Sequence, residues 1–225
     1  MTSLLVLVLA AAPDARLLDR VAERTKAIEA FTRNASLTLK VASDELDSDG
    51  RSEKHTELVF KVSRKDGKVT RELRSATEDG KDISEKTRKD LDEAQEKNGD
   101  GNGKVQASPF HPDERAKYAF ALLPPSDKAP GLVRIAFQPA GEKSDKVMIG
   151  DAAIDPETGD VVRMSMRPSK NPRFVDHLYL ELEFDAQTPA GRALSKLSTR
   201  GAGGLLFVKK RFAVVTTFSD YAARE

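Results

Sequence analysis

The chain of 225 residues contains no cysteine and no tryptophan. Without thiols there is no disulfide, no Cys-ligated zinc or iron–sulfur site, no thiol nucleophile and no N-terminal Cys to carry a lipid. An excess of either charge is also missing. Thirty-seven basic and 36 acidic side chains leave a formal charge of +1. A general nucleic-acid binder would carry a basic excess, so no nucleic-acid partner is expected. Aromatic residues make up 6% of the chain and histidines number three, few materials for a typical enzyme site. Charged residues reach 32%, a polarity that could signal disorder, but the 39% hydrophobic fraction argues for a folded domain with a very charged surface.

Long hydrophobic runs are absent too. The apolar run Leu4–Ala12 (LLVLVLAAA) is too short for a spanning helix, which needs about 20 residues. Its length and small-residue end fit the core of a secretory signal, although no Lys or Arg precedes it and Pro13 follows. The expectation is a signal segment over residues 1–12 and export to the periplasm. The alternative is a buried N-terminal strand.

What is present is periodicity. Leu17, Leu18, Val21, Ile28 and Phe31 draw one apolar stripe on a helix capped by Asp14. From Ala35 the period changes to two. Leu37, Leu39 and Val41 alternate with polar residues, as do Leu58, Phe60 and Val62. Lys65-Asp66-Gly67-Lys68 is a hairpin turn signal, and a weaker strand follows over Val69–Ser75. Residues 44–104 then hold 17 acidic and 14 basic side chains, with a thin helical stripe at Ile83, Thr87, Leu91 and Ala94 started by Asp82 and Glu85. This stretch reads as a charged helical insertion over about 79–104, ending in the Gly99–Gly103 tip.

Ser108-Pro109-Phe110-His111-Pro112 interrupts the pattern, and a second β-rich half follows. Its alternating sets are Tyr118, Phe120 and Leu122; Val133, Ile135 and Phe137; Val162, Met164 and Met166; Leu178, Leu180, Leu182 and Phe184; and Phe212, Val214, Thr216 and Phe218. Pro189–Leu197 reads as a short helix. Strands at this spacing indicate one large antiparallel sheet or a partly open barrel, with one greasy and one charged face.

The chemical motifs fail on spacing. Asn98–Gly103 looks like the start of a calcium loop, but the required twelfth-position acid falls on Pro109. Gly201-Ala-Gly203-Gly204 lacks the strand-before, helix-after setting of a phosphate loop. His55, His111 and His177 lie in different segments and read as surface groups. Glu181 and Glu183 share a strand face but occupy its solvated side. Lys209-Lys210-Arg211 could meet headgroups or an acidic partner, or simply protect a sheet edge. The function classes left are non-catalytic, with no metal and no cofactor.

The greasy face carries the remaining signal. Met148, Met164 and Met166 cluster near one turn, and Met adapts to irregular apolar partners. One or two helices are few for a sheet of about ten strands, so an apolar hollow is expected. Its lining is assigned to Leu58, Phe60 and Val62, then Phe120, Ile135 and Phe137, then Met164, Met166, Leu180 and Leu182. A sheet face fully filled by the N-terminal helix is the plainer alternative.

Three phrases then resemble a known family. They are a helix ending Ile28-Glu-Ala-Phe31, a strand–turn–strand Gly150–Arg163 built around Ile154-Asp155-Pro156-Glu157-Thr158-Gly159, and the closing Phe218-Ser219-Asp220-Tyr221. Together they resemble the outer-membrane lipoprotein-sorting (LolA-like) periplasmic proteins, over residues 15–225 and most sharply over 147–221. The resemblance implies an α+β fold: a large curved antiparallel sheet, or incomplete β-barrel, with an N-terminal helix and one or two lid helices around an apolar cavity. Residues 13–225 would form a single such domain. It implies a monomeric, soluble carrier of a lipid or of lipoprotein acyl chains, with a transient membrane or envelope-protein partner. The competing expectation is a non-catalytic structural or interaction protein of the envelope with a filled core.

Overall fold

A computed structural model describes residues 11–65, 68–98, 108–127, 129–205 and 208–223. The signal-like run through Ala10, the Asp66-Gly67 turn pair and the Gly99–Gly103 tip lie outside the described residues.

Helix α1, Ala15–Thr32, opens the fold. The Asp14 carboxylate accepts the Arg16 amide at 3.0 Å and so caps its first turn. Leu17, Leu18, Val21 and Ala22 are its buried residues. Four strands follow: β1 (Ala35–Leu46), β2 (Ser52–Lys65), β3 (Lys68–Glu78) and β4 (Lys81–Asp82). After helices α2 (Ser84–Asn98) and α3 (Pro112–Arg115) come β5 (Tyr118–Leu123), β6 (Val133–Pro139), β7 (Met148–Ile154), β8 (Val161–Pro168) and β9 (Val175–Glu183). A small hairpin of β10 (Ala186–Thr188) and β11 (Gly191–Ala193) precedes β12 (Lys196–Leu205) and β13 (Val208–Ala223).

Eleven strands make one antiparallel sheet in the order β4-β3-β2-β1-β13-β12-β9-β8-β7-β6-β5. Among the described residues its two edges do not pair, so the sheet is an incomplete barrel. The last strand lies in the middle and joins the two meanders. Register shifts interrupt several ladders, among them β1–β13, β2–β3 and β7–β8, and such bulges bend a strand locally. The Asp220 backbone takes a left-handed φ of +54° opposite the β1 break. The next residue, Tyr221, donates its hydroxyl to the Leu194 carbonyl at 2.8 Å. The closing Phe218–Tyr221 phrase is therefore a bulge that turns an aromatic side chain onto the β9–β12 connection.

Residues directly opposite in a ladder share a face. Pairing Leu58 with Val41, Val41 with Thr216, Thr216 with Leu197, Leu197 with Leu182 and Leu182 with Met164 draws one row. Met164 with Ala152, Ala152 with Ile135 and Ile135 with Leu122 complete it. The alternation thus places one apolar face across β2 to β5, here called the inner face. Buried residues on it form two clusters. The larger joins α1 to β5–β8 through Leu17, Leu18, Val21, Ile135, Phe137 and Met164. The smaller lies on β1–β3 around Leu37, Phe60, Val62, Leu73 and Ala76.

The expected helix over Pro189–Leu197 is corrected to the β10–β11 hairpin. Thr188 decides it: its hydroxyl accepts the Ala190 amide at 3.2 Å and donates to the Gly191 carbonyl at 2.7 Å. Gly191 then adopts a φ of +122°, open to glycine. The stripe on α2 is also only half used. Ile83 packs on the smaller cluster, but Leu91 is 42% exposed and Ala94 lies in solvent. The α2 helix therefore starts beside β3, where Asp82 accepts the Ser84 amide at 2.8 Å, and its residues 88–94 are exposed.

Candidate functional site

The β5–β8 part of the inner face is roofed from two sides. From one side α1 inserts its Leu17, Leu18 and Val21 stripe. From the other, the segment before α3 inserts Phe110, whose ring centre lies 5.3 Å from that of Phe120 and 5.9 Å, edge-on, from that of Phe137. The Tyr118 hydroxyl accepts the Met148 amide at 3.3 Å, and burial pushes its pKa up. This part of the face is a filled core.

Between the two roofing pieces a cavity of about 200 Å³ remains. Thr25 and Ile28 of α1 and Pro109 form its roof, Met148, Met164, Met166 and Leu182 its floor, and Phe184 and Leu194 its side. Arg24 and Arg192 bring the charges to its lining. Each has a carboxylate: Arg24 Nε lies 3.0 Å from Asp160 Oδ1, and Arg192 Nη1 lies 3.6 Å from Asp185 Oδ1. Arg24 also donates to the Ala190 carbonyl at 3.1 Å. One side chain therefore ties α1 to the turn after β7 and to the β10–β11 hairpin. Asp160 is buried, and its Oδ1 receives no in-line hydrogen bond, so the attraction is that of two close charges.

All ten residues assigned to the lining stand on the inner face, but they do not meet at one site. Met164, Met166 and Leu182 line the cavity. Ile135 and Phe137 are sealed beneath Phe110 and α1, while Phe120 and Leu180 pack against that core. Leu58, Phe60 and Val62 belong to the smaller cluster, on the other side of β13. Strand parity was readable from alternation, whereas the split into two clusters depends on where the helices land. The roof residue Pro109 and the wall residue Leu194 carry no periodic signal at all.

The outer face is charged. It holds a hollow of about 320 Å³ whose lining mixes Asp151, Arg167, Glu181 and Arg200 with Ile149 and Tyr179. His55 also lies there. Its Nδ1 sits 2.8 Å from Asp44 Oδ1 and its Nε2 3.7 Å from Glu57. The hydrogen bond to Asp44 holds its pKa above the ordinary value of 6.5. His111 is not the surface group expected. Its Nδ1 accepts the Asp113 amide at 3.2 Å as the cap of α3, and its Nε2 lies 2.9 Å from Glu29 of α1. Among the described residues no three His, Asp or Glu side chains gather where they could hold a metal. Glu183 pairs with Lys196 at 3.3 Å, on the solvated side as expected. The basic run near the chain end is tied down: Lys210 pairs with Glu45 at 2.9 Å, and Arg211 donates to the Ser48 carbonyl.

Among the described residues no helix is long and apolar enough to cross a membrane. No family model and no curated protein sequence matches the chain. Among solved structures the chain is similar to a LolA superfamily protein, NE2245, from Nitrosomonas europaea. Identity is 9% and the TM-score 0.42, over 92% of this chain and 94% of that one. It is also similar to MucB in complex with MucA(peri), at 12% identity and a TM-score of 0.27 over 92% and 94% of the two chains. The Pseudomonas aeruginosa MucA/MucB complex gives 12% and 0.27 over 93% and 98%.

Proposed function

We propose that this protein is a non-catalytic periplasmic carrier that holds an acyl chain, of a lipid or of a lipid-modified protein, against the inner face of its sheet. One observation supports the reading above the rest. The cavity between α1 and the sheet has a floor of three methionines and Leu182, and from Leu182 the apolar row continues along the same face through Leu197. Flexible thioethers suit a chain that must slide in and out. The periplasmic location rests on the signal-like Leu4–Ala12 run.

The cavity is smaller than the roughly 300–1,000 Å³ of common ligand pockets. It takes the end of a chain, and the remainder lies along half-buried Leu180, Leu197 and Thr216. The same filled core favours a second reading, in which an apolar segment of an envelope protein lies along that face. Solvent extraction of the purified protein followed by mass spectrometry separates the two. The carrier reading expects acyl lipid in a fixed ratio to protein. Lipid-free protein that also fails to bind a fluorescent fatty acid overturns it.

A further inference from the structure

Phe174, in the loop between β8 and β9, breaks two rules at once. Its φ is +68°, in the left-handed region that a bulky side chain avoids, and it is 52% exposed. The other non-glycine residues with positive φ among those described are Asp79 and Asp220, and Asp tolerates that region. The conformation is enforced from β12. The Gly204 amide donates to the Phe174 carbonyl at 2.9 Å. A side chain on Gly203 would place its Cβ 2.3 Å from that same oxygen. Gly203 therefore makes room for a strained backbone, which the Gly204 amide anchors, and the aromatic ring is held outside the core. Strain kept where the core gains nothing points to a role at the surface.

The ring has a cationic neighbour. The Arg173 guanidinium carbon stands 4.6 Å from its centre. Neither Arg173 nor Lys170 makes an ion pair among the described residues, in contrast to Lys210. An exposed aromatic ring flanked by free cations matches an anionic lipid surface, with the ring at the acyl boundary and the cations at phosphates.

We propose that the Lys170–Phe174 loop docks the protein on anionic phospholipid, Phe174 entering the bilayer interface while Arg173 and Lys170 take headgroup phosphates. This stands apart from the cavity and does not require that it hold lipid.

Co-flotation of the full chain with vesicles tests it, comparing equal parts phosphatidylglycerol and phosphatidylcholine with phosphatidylcholine alone. The wild type is expected to float with the anionic vesicles only, and to be released by salt. Arg173→Gln should weaken binding about fivefold. Phe174→Asn, which accepts the left-handed backbone, should weaken it about tenfold without lowering the unfolding midpoint. Fatty-acid binding in the cavity should stay the same in both variants, which separates this site from that one. Wild-type protein that ignores anionic vesicles, or variants that float as well as it does, overturns the proposal. So does a lower midpoint for Phe174→Asn, which would make the ring a packing residue. A Phe174-dependent dimer in sedimentation without vesicles would assign the surface to a second copy instead.

Discussion

Arg24 Nε of helix α1 stands 3.0 Å from the buried Oδ1 of Asp160, in the turn that joins β7 to β8. Arg24 also lines the cavity, and the same guanidinium reaches the Ala190 carbonyl. Removing one partner leaves a buried charge alone, which costs more than removing both. Arg24→Ala should destabilise the fold by roughly 2 kcal/mol. That is less than a fully buried pair would lose, because a third of the Arg24 side chain is in solvent. Asp160→Asn should cost less, since the neutral amide needs no counter-charge. Denaturant midpoints of the two variants decide the order.

The wall of the cavity depends on Tyr221. Its hydroxyl donates to the Leu194 carbonyl, and burial pushes its pKa up to about 12. Tyr221→Phe should cost about 1 kcal/mol and loosen the β9–β12 connection on the cavity side. Ultraviolet titration of the phenols should show the latest of the ionisations in the wild type disappear in the variant, while the delayed ionisation of buried Tyr118 remains.

Alternation made the inner face legible, because a half-buried strand has period two. Leu58, Phe60, Met164 and Leu182 all took the side their spacing assigned. The turn Asp155–Gly159 was equally local: Asp155 accepts the Glu157 amide at 2.8 Å, and Gly159 turns with a φ of +76°. What sequence could not give is long-range. Phe110 sits between two break residues in no periodic pattern, yet it seals the core. His111 looked solvated because its partner Glu29 is far away in the chain. The spacing predicts a helix where the β10–β11 hairpin stands, because Thr188 acts through its hydroxyl and not through its backbone propensity.

His55 links charge to pH. Its hydrogen bond to Asp44 holds its folded pKa above 6.5, the unfolded value. A raised pKa means that the pair stabilises the fold fully below about pH 6.5. That contribution is lost as pH rises through the folded pKa. The pair is partly exposed, so the effect is small. NMR titration of the His55 ring should give a midpoint above 6.5 in the wild type, and Asp44→Asn should bring it down toward that value.

In the proposed function an acyl chain enters the space between α1 and the methionine floor. Its most direct test is saturable binding of a fluorescent fatty acid to delipidated protein, compared with Met166→Trp, which fills the cavity from the half-buried end of its floor. Stoichiometric binding by the wild type is expected, with a loss of about tenfold or more in affinity for the variant and the fold retained by circular dichroism. Binding of equal strength in the two proteins, or none in the wild type, would contradict it.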